Sequence, residues 1–285
     1  MAATASAWAR GALDPVGSGD LGVLEGGAKV MHIATPKESF VTCAANAAAS
    51  EVVDAPEYAA FDYVPVSSQG DIVGLFRRRG REAHVPPADG AAERLMEPLS
   101  EHNLISADAG IIDFLSEADR QPYRLVVKGT GIAGIVTLAD LQKLPVRPVL
   151  FLLVTHVELL MADLIRKSFR YSGEWEGYLS GPRRQKLDEE YSNLAKNNYE
   201  PSDKLVCTNY CDKRTILIKS RLLNSVSSAK AEHDLKRIEG LRNSVAHAGN
   251  YAATPGQAAE LAETVRLVQE WIGTLQGSLR GGAIR

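Results

Sequence analysis

Cysteine is scarce in this chain of 285 residues: Cys43, Cys207 and Cys211 are the full set. An odd and sparse complement excludes the disulfide framework of a small secreted domain, so the thiols are expected to be reduced. Cys207 and Cys211, four apart, would share a face if one helix carried both. No second Cys or His pair stands at ligand spacing to complete a zinc site, so no metal is expected. A long unbroken apolar run is also missing. The richest stretch, from Pro148 to Ile165, contains His156, Glu158 and Asp163, whose burial in hydrocarbon would be costly, and no membrane partner is expected. The first 27 residues hold one basic residue and no apolar segment of signal-peptide length, which gives an expectation of cytoplasmic residence.

An overall positive charge is lacking too, since 32 Lys and Arg stand against 35 Asp and Glu, a net of −3. Taken alone this argues against nonspecific polyanion binding. The halves differ, however. Residues 1–146 carry 12 basic and 19 acidic side chains, a net of −7, and residues 147–285 carry 20 and 16, a net of +4. A polyanion should therefore prefer the second half. With 45% hydrophobic and 24% charged residues the composition is that of an ordinary globular protein, long enough for two cores.

What is present begins with a repeat. After an Ala-, Gly- and Ser-rich stretch read as a mobile tail (1–28), FDYVPVSSQGDIVGLFRR lies on QPYRLVVKGTGIAGIVTL with Gly74 matched to Gly134, an offset of 60. Each copy has two β-branched runs about a Gly-bearing turn, the pattern of a hairpin. In the second copy Leu104 to Ser106 is expected as a strand and Asp108 as the cap of a helix through about Ala118. Arg124 to Lys128 and Ile132 to Thr137 are expected as the hairpin, and another helix begins at Leu138. From Pro148 the apolar spacing becomes helical. Helices are expected at 148–169, 183–197, 203–225 with a break, 228–247 and 255–275, the last capped by Thr254 and Pro255.

The duplicated β-α-β-β-α unit over 29–146, clearest in GIVTLADL, resembles the CBS (cystathionine-β-synthase-type) domain pair. That resemblance implies a regulatory adenine-nucleotide ligand such as AMP or ATP, held where Gly134, Thr137 and Asp140 match the family pattern. Thr137 would contact a phosphate and Asp140 two ribose hydroxyls, with the adenine near Ser106 and Arg124. On the residues alone, Thr137 as a helix cap and Asp140 as a first-turn acid remain an alternative. The first repeat has Arg77 and Gly80 at the two positions, so two equivalent sites are not expected. Its run of Arg77, Arg78, Arg79 and Arg81 reads either as a polyphosphate contact or as a solvated basic loop.

In the helical half, Arg242-Asn243-Ser244-Val245-Ala246-His247 resembles the Arg-Asn-x3-His motif of HEPN ribonucleases, and 147–285 is similar to that family as a helical domain. Gly249 and Asn250 are plausible helix enders that leave His247 near a final turn. There an imidazole can exchange protons near neutral pH while Arg242 stays charged. Asn243, one turn earlier, would orient His247, and Glu158 and Asp163 are candidate supporting acids. The resemblance implies cleavage of RNA to 2′,3′-cyclic phosphate ends with no catalytic cofactor or metal, in a homodimer, and allows a toxin with an antitoxin partner. The related toxin subgroup has Tyr two residues after the His; here Tyr251 is four after it. Alternatively the motif is a noncatalytic helix terminus, with Arg242 paired to Glu239, in a nucleotide-sensing interaction module.

The sequence thus predicts a multidomain chain: α+β tandem CBS repeats, then an all-α HEPN bundle, together a ligand-controlled endoribonuclease.

Overall fold

The β-branched runs of the two repeats form two four-stranded sheets in the computed structural model, which describes residues 27–78, 90–170, 173–196, 203–223, 225–247 and 249–281. The first sheet has the order β2 (Cys43–Ala44), β3 (Tyr63–Ser68), β4 (Asp71–Arg77), β5 (Glu97–Pro98). The second runs β6 (Leu104–Ser106), β7 (Tyr123–Lys128), β8 (Gly131–Thr137), β1 (Thr35–Pro36). In each, the first pair is parallel and the others antiparallel, so one plan is used twice. Even the register irregularity repeats, at Val66/Ser67 and at Val126/Val127.

The matched glycines have a physical reason. Two-residue edge strands lie directly over them, Pro98 opposite Gly74 and Pro36 opposite Gly134. A Cβ at Gly74 would come within 2.6 Å of the Glu97 carbonyl, and one at Gly134 within 2.8 Å of the Thr35 carbonyl. Only glycine permits that backbone approach. The hairpin tips use Gly70 (φ 90°) and Gly129 (φ 62°), a left-handed geometry that side chains resist.

Short helices α1 (Ala49–Asp54), α2 (Ala92–Leu95) and α3 (Ile111–Leu115) cover the sheets. Helix α3 starts after Gly110, whose N–H is capped by Asp113, later than the expected cap at Asp108. Each repeat contributes to a shared apolar centre of Ile72, Leu75, Tyr123, Leu125 and Ile135, with the Tyr63 and Tyr123 rings 3.9 Å apart. These elements make one unit, Ala28–Pro145.

The other unit begins at Val146 and is helical: α4 (Val146–Ser168), α5 (Gly181–Lys196), α6 (Tyr210–Lys219), α7 (Ser228–Ala246) and α8 (Pro255–Arg280). Helix α4 is long and apolar enough to cross a membrane by length and composition. Most of its apolar residues are nonetheless core, with Leu150, Leu153, Val157, Met161 and Ile165 buried against α6, α7 and α8, while Phe151 is exposed. Burying each such side chain stabilises the fold by about 1.5–3 kcal/mol. The expected third helix is shorter than its pattern, because Asp203 caps a single 3-10 turn (Lys204–Cys207) and Asn209 then caps α6. Cys207 and Cys211 therefore sit on separate elements.

Candidate functional site

In the α/β unit, Thr137 ends β8 and a one-turn 3-10 helix, Leu138–Gln142, follows in place of the expected longer helix. The spacing of three brings Asp140 back onto Thr137: one carboxylate oxygen accepts from the Thr137 N–H at 2.6 Å and from its hydroxyl at 3.1 Å. The other oxygen lies 2.6 Å from the Lys143 ammonium, which also donates to the Ile33 carbonyl at 2.5 Å. Asp140 is 4% exposed. Both oxygens of this carboxylate thus have protein partners, the capping arrangement that the residues alone also allowed, and a ribose hydroxyl would have to share with or displace Lys143.

Arg124 does not share a face with Thr137: it is Tyr123 that pairs with Thr137, Arg124 pairs with Val136, and successive side chains of a strand alternate. The Arg124 guanidinium forms an ion pair with Glu117 and donates to the Leu104 carbonyl at 3.4 Å. Ser106 is not brought to Thr137. It pairs with Val127, four residues along β7 from Tyr123, a separation of about 13 Å. The exposed Ser106 hydroxyl accepts from the Asp108 N–H. In the first repeat Arg77 is exposed, while Arg78 donates to the Val53 and Ala59 carbonyls and is a structural tie. Arg79, Gly80 and Arg81 lie outside the described residues. Sequence reasoning missed Lys143, which carried no motif signal of its own.

In the helical unit, α7 ends at Ala246 and His247 is its cap residue, with its N–H on the Asn243 carbonyl at 3.0 Å and Gly249 N–H on the Ser244 carbonyl at 2.8 Å. His247 is exposed, and among the described residues its imidazole makes no hydrogen bond. Asn243 does not orient it as expected: the Asn243 amide oxygen accepts from Arg242 at 3.4 Å instead. Nor does Arg242 pair with Glu239, because that carboxylate is taken by Arg214. Arg242 is half-exposed with its Nε 3.8 Å from Glu158, which also accepts from Lys213 at 2.9 Å. Of the two candidate supporting acids, Glu158 is therefore at the motif. Asp163 pairs with Arg166.

Beneath these charges lies Tyr210, 1% exposed, its hydroxyl without a hydrogen-bond partner among the described residues. Burial pushes its pKa far up, and the Glu239 and Glu158 carboxylates push the same way against Arg214 and Arg242. Arg147 was also missed in the sequence. From the first turn of α4 it donates to the carbonyls of Val245 at 2.9 Å and Gly249 at 3.3 Å, on either side of His247. Helix α7 thus presents a half-exposed guanidinium, Arg242, and, five residues on, an exposed imidazole, His247.

No protein-family model matches the sequence, and no curated protein does. The chain is similar to the CBS domain of a bacterial CNNM/CorC family Mg2+ transporter in complex with ATP, at 20% identity over 42% of this chain and 88% of that one, with a TM-score of 0.34. It is similar also to a hemolysin-like CBS protein of Oenococcus oeni PSU at 15% identity (42% and 92%; TM-score 0.34). A third is CBSX2 in complex with AMP, at 12% identity (40% and 92%; TM-score 0.33).

Proposed function

We propose that the protein is a ligand-controlled, metal-independent endoribonuclease, its helical unit a HEPN-type catalytic domain and its α/β unit a CBS-type sensor of an adenine nucleotide. The observation that carries the catalytic part is that one helix, α7, presents a solvent-facing His247 at its end and, five residues earlier, a half-exposed Arg242 beside Glu158. The chemistry follows from these groups. A base takes the proton of an RNA 2′-hydroxyl, the 2′-oxygen bonds to the adjacent phosphorus, the bond to the 5′-oxygen breaks, and an acid returns a proton to that leaving oxygen. Arg242 stabilises the added negative charge on the phosphorane-like transition state. One imidazole cannot be acid and base at once, so the reading requires a second His247 from a homodimer.

The sensor part rests on the repeat with its twin sheets and on the Thr137–Asp140 pair. A mixture tests the composite site. Arg242→Ala and His247→Ala are each expected to lose roughly 10²-fold or more of cleavage. Exchanged with the parent protein, His247→Ala should silence the mixed dimers as well, because each keeps a single imidazole; mixed dimers with half the parent's rate overturn the shared site. A noncatalytic, nucleotide-sensing interaction module is the second reading, favoured by the Asn243 amide facing Arg242 and leaving the His247 imidazole without an orienting hydrogen bond among the described residues.

A further inference from the structure

We infer that Arg147 is a positioning residue for His247, a role that rests on the ribonuclease reading above. The carbonyls of a helix's last turn have no partner within the helix. At the end of α7, Asn243 and Ser244 pass theirs to His247 and Gly249 N–H groups. Those of Val245 and, beyond the helix, Gly249 go to the two terminal nitrogens of one guanidinium, Arg147. A guanidinium is planar and its donors are fixed in a fork, so gripping both carbonyls sets the separation of residues 245 and 249. His247 lies midway between them.

The anchor is firm. Arg147 sits between Val146 and the buried Val149 and Leu150 in the helix that forms the core of the unit, and its guanidinium lies over the Tyr251 ring, 5.4 Å from the centroid. Tyr251 is itself buried, which closes the loop from the other side. With no side-chain hydrogen bond to the imidazole among the described residues, the backbone that Arg147 grips is what sets the point from which the ring projects. A displacement of a catalytic group by about an ångström is enough to cost up to about 10²-fold in rate.

The test uses the full chain with Arg147→Met, which removes both donors, and Arg147→Lys, which keeps the charge and one point of donation. RNA cleavage should show kcat lowered about 10-fold to 100-fold in Arg147→Met with KM little changed, and partial recovery in Arg147→Lys. The His247 ring signals in nitrogen-edited NMR should broaden or split in Arg147→Met while the thermal transition stays cooperative. Unchanged kcat in both variants overturns the assignment, as does an equal fall in both with sharp, unshifted His247 signals. Should the parent protein cleave no RNA, the ribonuclease reading falls, and the ring signals alone then decide the clamp: unaltered signals in Arg147→Met refute it.

Discussion

At the scale of single residues, Lys143 competes with any ligand that would take the second oxygen of Asp140. Asp140 is buried, and its second oxygen is held by Lys143. A ribose taking that oxygen must loosen the ammonium, so Lys143→Met should enlarge the melting-temperature shift given by adenosine, and Asp140→Ala should remove it, because a ligand stabilises in proportion to its binding to the native state. Equal shifts in the parent and in Asp140→Ala would refute the ribose contact. Arg242 and His247 were legible in the sequence because their motif is local. Arg147 was not, because the carbonyls it grips lie 98 and 102 residues away; nor was Lys143, whose ammonium reaches Asp140 three residues back but is also placed by the Ile33 carbonyl 110 residues away.

At the scale of elements, the 60-residue repeat was readable because its two glycines are fixed by backbone approach and its hairpins by alternation. The edge strands β1 and β5 were not, since two residues are too few to show a period. Gly134→Ala should destabilise the α/β unit by about 1–3 kcal/mol through the clash with the Thr35 carbonyl. Gly131→Ala on the same strand, with open space around its would-be Cβ, should cost far less in a denaturant titration. Equal costs would show that β1 is not packed over Gly134. Between α7 and α8, burial pushes the Asp234 carboxyl up, but hydrogen bonds from Lys230, His233 and Trp271 outweigh it and hold the group below its usual range. A depressed folded-state pKa gives stability that is present above the unfolded value, near 3.8, and lost as pH falls through the folded one. Stability of the parent should therefore drop below about pH 4 more steeply than that of Asp234→Asn. Parallel acid profiles would refute that link.

At the scale of the whole molecule, an α/β repeat unit and a helical unit share one chain, and the break falls at Pro145 and Val146. Two residues later stands Arg147, whose guanidinium grips the backbone around His247. Seven residues along the chain from Asp140, Arg147 thus belongs to the helical unit and holds its candidate catalytic loop by two hydrogen bonds. Whether the helical unit cleaves RNA at all is the claim on which the rest depends. The direct measurement is end-group analysis of RNA incubated with purified parent protein and with His247→Ala, both in EDTA. The account predicts 2′,3′-cyclic phosphate and 5′-hydroxyl ends from the parent and a loss of roughly 10²-fold or more in the variant, with circular dichroism unchanged. No cleavage by the parent with or without adenine nucleotide, or equal cleavage by the folded variant, would contradict it.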